Sequence, residues 1–199
     1  LEIGGLVRMT GNSITGRKEN IAYDFYETPK WATEKAVKAM LRDKILNKKE
    51  FVYEPCVGAG AITDVLEMYG FENIEASDIQ TADYIKGMKG VDVYEVEDNA
   101  CDVVITNPPY NLMTKGNMLA EFQRIAEKKV ILLLNIFYLS SKDRKQMLEN
   151  SSLRHIYIHS DRVTMFPHGQ EKPKNGGTKM YAWYVWDKEY TGKPTLSWI

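Results

Sequence analysis

The segment from Cys101 to Thr106 constrains the fold more than any other part of this 199-residue chain. It reads Cys-Asp-Val-Val-Ile-Thr, a mostly apolar and β-branched run. Such a run is typical of a strand in a parallel sheet that helices cover on both faces. We therefore expect strands and helices to alternate along the chain.

That alternation is visible on both sides of the segment. Upstream, a short strand over 51–55 precedes a helix over 61–69 that Gly70 ends, and a second strand follows over 73–77. The pattern predicts an α/β fold with an open, mostly parallel central sheet and helices on both faces. The other predicted elements are a helix that begins at Thr28-Pro29 with Thr28 as its N-cap, a third strand over 91–94, helices over 117–128 and 140–149, and strands over 130–134, 153–159 and 180–186.

Composition along the chain suggests its organisation. Residues 1–20 are rich in Gly, Asn, Ser and Thr, which predicts a peripheral N-terminal arm. Residues 21–199 are expected to form a single domain. The long irregular segment 161–179 lies within that domain, and loops of this length in compact domains are more often functional than not.

Charge and cysteine content exclude several classes of protein. Lys plus Arg total 26 and Asp plus Glu total 27, so the net charge of −1 gives no general attraction to nucleic acid, and any basic surface must be local. The two cysteines are too few for a disulfide scaffold or a four-cysteine zinc site, and His155 and His159 lack a metal-binding spacing, so no metal site is predicted. No run approaches the ~20 apolar residues of a membrane span. We expect a cytoplasmic protein without membrane contact.

A glycine turn, Glu54-Pro-Cys-Val-Gly-Ala-Gly60, lies between the first predicted strand and its helix. Gly58 and Gly60 would let a ligand approach the backbone closely, although any α/β protein needs a tight turn here. Asp78 follows about 20 residues later, where an acid can bind ribose hydroxyls. Asp92 lies at the predicted third strand, near the expected position of an adenine ring. Cys56 is expected to be a small buried residue beside the turn.

The turn does not match a phosphate-binding loop. The Lys-Ser/Thr pair of nucleotide triphosphatases is missing, and so is the third glycine of the dinucleotide fingerprint. Glu54 would repel a pyrophosphate but would suit a cofactor that carries an ammonium group. The helix start at Thr28-Pro29 could in turn attract the cofactor's carboxylate. S-adenosylmethionine has both of these groups, and it adds a ribose, an adenine and a sulfonium.

The most specific motif is Asn107-Pro108-Pro109-Tyr110, directly after the apolar strand. Two prolines fix the backbone and remove two donors, and Asn107 adds a side-chain acceptor. Together with the Pro108 carbonyl it could hold both N–H bonds of a planar exocyclic amine and aim its lone pair at a methyl group, with Tyr110 stacking on the ring. The plain alternative is a turn that ends a strand, with Tyr110 packed as a lid.

Together these segments resemble the DNA adenine-N6 methyltransferases that use S-adenosylmethionine. The likeness runs from about Tyr23 to Lys188, with the cofactor half first and the catalytic half second. It implies a Rossmann-like methyltransferase fold with an antiparallel last strand. The segment that ends at Phe166, followed by the aromatic strand before Trp186, is similar to the end of small phage-type members, in which an aromatic residue helps to sandwich the extruded base.

The resemblance assigns residues to roles. Catalysis is assigned to Asn107, Pro108, Pro109 and Tyr110. The expected cofactor-binding residues are Tyr26, Thr28, Pro29, Glu54, Cys56, Gly58, Gly60, Asp78, Ile79, Asp92, Val93 and Asn107.

Nucleic-acid contacts are expected from the 161–179 loop. A base inside a duplex must flip out to reach such a pocket, and stacking between Tyr110 and Phe166 would offset part of that cost. Mobile cations on the loop would contact phosphates, although each alone also fits an exposed polar loop. The cations are Arg162, Lys172, Lys174 and Lys179.

The function expected from the sequence is methyl transfer to adenine N6 in DNA. Two other acceptors remain open, RNA adenine and a protein glutamine, because both offer a planar amine. A non-catalytic cofactor-binding or DNA-binding subunit is a third interpretation. Because the chain has little room for a separate target-recognition domain, a partner subunit or a dimer could supply sequence recognition. A bacterial or phage-infected cell is the expected setting.

Overall fold

A computed structural model describes residues 26–115, 117–149, 151–167 and 179–199. The predicted arm over 1–20 lies outside these ranges. The strands are β1 (Tyr26–Glu27), β2 (Val52–Glu54), β3 (Ile74–Asp78), β4 (Met88–Lys89), β5 (Cys101–Thr106), β6 (Ala126–Asn135), β7 (Leu153–Ile158), β8 (Phe166–Pro167), β9 (Tyr181–Asp187) and β10 (Thr195–Trp198). The helices are α1 (Lys30–Arg42), α2 (Thr63–Met68), α3 (Tyr110–Lys115), α4 (Met118–Ile125) and α5 (Lys142–Glu149), with 3-10 turns over Val93–Glu95 and Ile136–Leu139.

Within the described residues the main sheet has the strand order β10-β7-β9-β6-β5-β2-β3-β4. Its neighbouring strands are parallel except at β9, which runs antiparallel to both β6 and β7. The predicted α/β fold with a mostly parallel sheet is confirmed, and β9 corresponds to the strand predicted over 180–186. The parallel strand β10 was not predicted, because its exposed, mostly polar sequence gives a weak strand signal.

Both faces of the sheet are packed, as the composition of β5 predicts. Val104 belongs to one buried cluster, which includes Phe122 of α4. Val103 and Ile105 belong to a second cluster on the opposite face, which includes Met40 of α1. All three β5 side chains are at most 1% exposed. Each therefore contributes about 1.5–3 kcal/mol of hydrophobic stabilisation, and together they anchor the strand that ends at Asn107.

The third strand predicted over 91–94 is wrong. The strand that pairs with β3 is β4, and residues Val93–Glu95 form a 3-10 turn instead. Asp92 caps this turn, since its Oδ1 accepts a hydrogen bond from the N–H of Tyr94 at 3.1 Å. Hydrogen bonds from short acidic side chains to the nearby backbone compete with strand pairing in this way. Val93, the next residue, is buried.

The start of α1 also differs from the prediction. The helix begins at Lys30, its N-cap residue is Pro29, and no side chain caps it. Thr28 is therefore not the N-cap, because its hydroxyl is hydrogen-bonded to Asn107 instead. Further on, α4 ends at Ile125 because Ala126 already pairs with Cys101 in the sheet. No helix among the described residues is long and apolar enough to cross a membrane.

Candidate functional site

The candidate site lies at the edge where the parallel strands end. The strand β2 pairs with β3 on one side and with β5 on the other, all parallel. The glycine turn after β2, Asp78 at the end of β3 and Asn107 after β5 are therefore neighbours at one edge. Ligands of open α/β sheets bind at such carboxyl ends.

Asp78 holds the glycine turn in place. Its Oδ2 accepts from the N–H of Gly58 at 3.0 Å, and its Oδ1 accepts from the N–H of Gln80 at 2.9 Å. Gly58 has a φ of 51°, in the region that favours glycine. Burial raises the pKa of Asp78, while the backbone donors, from Gln80 and Gly58 among others, oppose that shift. A buried carboxylate with remaining acceptor capacity is suited to a hydroxyl ligand.

At Gly60 the side chain of Lys86 lies close to the backbone, whereas the ligand approach expected from the sequence stays a prediction. The φ of Gly60 is 85°, and a Cβ atom there would clash with Cδ of Lys86. The turn is also tied to the following segment, because the N–H of Lys86 donates to the carbonyl of Gly58 at 2.9 Å.

Glu54 is a buried carboxyl group at the end of β2, only 1% exposed. Its Oε2 accepts from the N–H of Thr63 at 3.2 Å. Burial, followed by the nearby charges of Asp78 and Asp64, raises the pKa of Glu54 well above its usual range. Within the described part of the chain no cationic side chain forms an ion pair with it. An ammonium group of a ligand would therefore relieve a real electrostatic cost.

The other residues assigned to the cofactor differ in exposure. Cys56 is half-buried, and burial and then Asp78 raise the pKa of its thiol, which keeps it neutral. Ile79 is 41% exposed beside Asp78, an open apolar surface for a ring. The side chain of Val93 is buried in the core, and Asp92 is half-buried at the cap of its turn.

Asn107 is the junction of three chain segments. Its Nδ2 donates to Oγ1 of Thr28 at 3.1 Å and to the carbonyl of Tyr26 at 3.4 Å. Its Oδ1 accepts from the hydroxyl of Tyr110 at 2.8 Å. The Sδ of Met165 lies 3.7 Å from Nδ2. Pro108 is buried behind it and Pro109 is half-buried, which fixes the backbone before α3 begins.

Tyr110 is held beneath the site. Its ring centroid lies 6.1 Å from that of Tyr181, with an interplanar angle of 35°. Burial, then Tyr181, raises the pKa of Tyr110 well above its usual range, so that its hydroxyl stays protonated and donates to Asn107. The ring of Tyr110 is therefore fixed in orientation by Tyr181 and by its hydrogen bond to Asn107.

A small second sheet brings the distant predicted residues together. In it β1 and β8 are antiparallel, with Tyr26 opposite Pro167 and Glu27 opposite Phe166. The segment from Tyr26 to Pro29 and the backbone of Phe166 therefore lie beside Asn107. Among the predicted cations, Arg162 and Lys179 are exposed, whereas Lys172 and Lys174 lie outside the described residues.

Met165 and Tyr181 are site residues that the sequence did not reveal. The strand 181–187 reads as a core strand, and Tyr181 is indeed only 6% exposed, yet its ring contacts Tyr110. The exposed side chains of Phe137 and Met180, 62% and 50% exposed, follow β6 and precede β9 at the same edge.

No metal centre is found in the parts of the chain that the structure describes, where no three His, Cys, Asp or Glu residues form a ligand group. His155 is hydrogen-bonded to Thr195 and Ser197 of β10, at 2.6 and 2.9 Å. His159 is buried against Trp31, with ring centroids 5.6 Å apart.

This strand order, with one antiparallel strand inserted beside β6, defines the Rossmann-like methyltransferase fold, and solved structures of that fold match the chain. No protein-family model and no curated protein matches it. One structural neighbour is a Pyrococcus horikoshii protein provisionally assigned as an RNA methyltransferase. It is 14% identical, with a TM-score of 0.63, over 86% of this chain and 90% of that chain.

Two further neighbours illustrate the range of this fold. The type I restriction-modification system methyltransferase subunit from Streptococcus thermophilus is 11% identical, with a TM-score of 0.60, over 88% of this chain and 47% of that chain. Magnesium protoporphyrin IX methyltransferase from Synechocystis, solved with bound S-adenosylmethionine, is 14% identical, with a TM-score of 0.52, over 78% of each chain. At such identities the likeness establishes the fold, and the methyl acceptor must be argued from the site.

Proposed function

We propose that this protein transfers a methyl group from S-adenosylmethionine to the N6 amine of adenine in DNA. The observation that carries the proposal is the placement of Asn107 beside the Asp78-braced glycine turn, at the ends of strands that share β2 as a neighbour. A donor bound at the turn and an amine bound at Asn107 would lie at one edge. Holding two reactants in this way supplies much of the rate of a displacement reaction.

The residues of the turn fit the proposed cofactor. Glu54 is a buried acid without a cationic partner among the described residues, which suits an ammonium group. Asp78 has acceptor capacity for ribose hydroxyls, and Ile79 offers an exposed apolar surface to the adenine ring. S-adenosylmethionine supplies an electrophilic methyl group on a sulfonium that leaves as a neutral thioether. The remaining contacts are assigned to Tyr26, Pro29, Cys56, Asp92 and Val93.

Asn107 acts on the acceptor amine. Its Oδ1 and the carbonyl of Pro108 are proposed to accept the two N–H bonds of the planar amine, so that the nitrogen lone pair points toward the methyl group. The nitrogen forms the new bond as the carbon–sulfur bond breaks, and the extra proton then leaves to solvent. No general base is required before attack, which agrees with the protonated Tyr110 hydroxyl beside Asn107.

Surface charge favours a nucleic acid over a protein as the acceptor, and the form of the glycine turn favours DNA over RNA. Exposed Arg162 and Lys179 flank the segment that carries Phe166 and could contact phosphates on either side of a flipped base. The Glu-Pro-Cys form of the glycine turn also resembles the DNA enzymes more than the RNA or protein enzymes. RNA adenine is the second candidate, because the Pyrococcus horikoshii neighbour carries an RNA methyltransferase assignment.

A partner could supply sequence recognition. The Streptococcus thermophilus neighbour is by name a subunit of a larger system, and this chain covers 47% of its length. We propose that a partner subunit or a second copy of the chain selects the target sequence, while the described edge performs the chemistry.

Labelled methyl transfer to competing acceptors tests the proposal. The purified chain is given labelled S-adenosylmethionine with duplex DNA, structured RNA and unlabelled protein together, and each fraction is counted. We expect label in DNA. Asn107→Ala should lower transfer by at least about 100-fold while cofactor affinity stays within about threefold.

Asn73→Ala is the matched control. Asn73 directly precedes β3 at the opposite edge of the sheet, where it makes one long bond to the Lys49 carbonyl at 3.5 Å. This variant should keep full activity. If the label appears in RNA alone, RNA rather than DNA is the methyl acceptor. If Asn107→Ala is as active as the unaltered chain, the catalytic assignment of Asn107 is refuted.

A further inference from the structure

The orientation of the Asn107 side chain is settled by its neighbours. A backbone carbonyl can only accept hydrogen bonds, so the group that faces the Tyr26 carbonyl at 3.4 Å must be the amide nitrogen. The opposite end of the same amide, Oδ1, then faces the Tyr110 hydroxyl at 2.8 Å. The oxygen is thus directed to the side where Tyr110 lies, and the nitrogen to β1.

Thr28 provides the shortest contact to that nitrogen. Its hydroxyl oxygen lies 3.1 Å from Nδ2, compared with 3.4 Å for the Tyr26 carbonyl and 3.7 Å for the Met165 sulfur. Thr28 is itself only 5% exposed, so bulk water does not compete with the Asn107 amide for its hydroxyl oxygen. No hydrogen bond of α1 uses the hydroxyl, because the helix begins at Lys30 without a side-chain cap.

We propose that Thr28 is a positioning residue for the proposed reaction, which holds the amide of Asn107 with its oxygen toward the acceptor amine. The inference rests on the proposed function, since it assigns Thr28 to the catalytic amide rather than to the cofactor. A freely rotating amide would present its NH2 group to the substrate amine for part of the time. Two donors would then face each other, and the lone pair would not be aimed.

The β1–β8 pair supports this arrangement. Tyr26 lies opposite Pro167 and Glu27 opposite Phe166, so the strand that carries the Tyr26 carbonyl is fixed against the segment of Met165. The three acceptors around Nδ2 therefore come from β1, from the turn after it and from the residue before β8. The pairing of β1 with β8 therefore positions both the segment of Phe166, proposed to contact the target base, and the amide of Asn107.

Three variants separate positioning from simple packing. Thr28→Val removes the hydroxyl and keeps the branched shape, whereas Thr28→Ser keeps the hydroxyl and removes the methyl group. Thr33→Val is the matched control on α1, because Thr33 is fully buried and its hydroxyl has no hydrogen-bond partner among the described residues. Removal of that unpartnered hydroxyl should leave turnover unchanged.

The first readout is the Asn107 side-chain amide in a 15N-labelled chain, identified as the NH2 pair that is missing from the spectrum of Asn107→Ala. Its exchange with water should be slow in the unaltered protein and at least about tenfold faster in Thr28→Val. Thr28→Ser and Thr33→Val should leave the exchange near that of the unaltered chain. Unchanged exchange in Thr28→Val would overturn the inference without any reference to activity.

The second readout is turnover at saturating DNA and cofactor. Thr28→Val should lower kcat on the order of tenfold with cofactor affinity within about twofold, and Thr28→Ser should restore most of the rate. Loss of cofactor affinity with unchanged kcat would place Thr28 in the cofactor site and contradict the proposal. If the unaltered chain transfers no methyl group to DNA, the proposed function fails, and amide exchange alone decides the positioning contact.

Discussion

The backbone N–H of Gly58 lies 3.0 Å from Oδ2 of Asp78, so the carboxylate that ends β3 holds the turn that follows β2. Two stretches about 20 residues apart are joined in this way into one candidate ligand-binding edge. The contact also explains why a buried acid is retained there, since it has a structural task even before a ligand arrives. The first prediction concerns this pair.

Asp78→Asn should weaken S-adenosylmethionine binding at least about tenfold with little change in stability. At least one of the backbone N–H donors loses its acceptor, whereas the removal of a carboxyl group whose pKa is raised by burial offsets that loss. We expect the melting temperature to stay within about 4 °C. Calorimetric titration and thermal unfolding measure the two effects, and unchanged affinity would remove Asp78 from the cofactor site.

Gly60→Ala should reduce both stability and cofactor affinity, and Gly70→Ala is its matched control. The two glycines have φ angles of 85° and 82°, so each alanine costs about 1–2 kcal/mol in left-handed backbone. Only at Gly60 is the new Cβ crowded, by Lys86, whereas at Gly70 the nearest atom is 3.7 Å away. Cofactor affinity should fall in Gly60→Ala alone. An equal affinity in both variants would show that the turn is not a binding site.

Two buried glutamates should respond in opposite ways to replacement by glutamine. Glu50 is paired with Lys129 at 2.5 Å, so Glu50→Gln should cost up to about 3 kcal/mol of unfolding free energy. Glu54 has no such partner among the described residues, and its pKa is raised by burial, so Glu54→Gln should stabilise the cofactor-free protein. Urea unfolding at neutral pH compares them, and titration with cofactor should show the weakened binding of Glu54→Gln.

The pH dependence of the unfolding free energy checks the interpretation of Glu54→Gln. Because the pKa of Glu54 is raised in the folded state, the native protein binds more protons than the unfolded chain, and stability falls as pH rises above about 4.5. Glu54→Gln should flatten that slope. A slope that is identical in the variant would contradict the burial of an unpaired acid.

His159→Phe should remove a loss of stability at acidic pH. Burial, with a smaller contribution from Lys35, lowers the pKa of His159 to about 4, so the unfolded chain binds more protons between about pH 6.5 and pH 4. Stability is therefore lost as pH falls, by about 2 kcal/mol between pH 7 and pH 5. Phenylalanine keeps the ring contact with Trp31. The difference in unfolding free energy between pH 7 and pH 5 should change by about 2 kcal/mol in the variant, and an unchanged difference would exclude His159 as a contributor.

Much of the fold could be predicted because its strands are continuous apolar runs. Val103, Val104 and Ile105 are buried on both faces of the sheet, and a parallel sheet follows from that composition. The edge residues could be predicted for the same reason, since parallel strands end together. Asp78 and Asn107 each follow or end a strand next to β2, so the parallel order alone places them at one edge.

The missed features depend on contacts between distant segments. The β1–β8 pair has two residues in each strand, too few for any periodicity to show. Thr28 was expected to cap a helix because only its local sequence was visible, whereas its hydroxyl bonds Asn107, 79 positions along the chain. A strand was expected over 91–94, but Asp92 caps a 3-10 turn there. Local sequence patterns fail to predict structure where a short polar side chain can hydrogen-bond to either of two partners.

The most direct test of the central claim is nucleoside mass spectrometry of DNA from cells that lack adenine methylation and express this chain. We predict N6-methyladenine in cells with the unaltered protein and none above background in cells with Asn107→Ala, at equal protein levels. DNA without N6-methyladenine in the first culture, or equal amounts in both, would contradict the account.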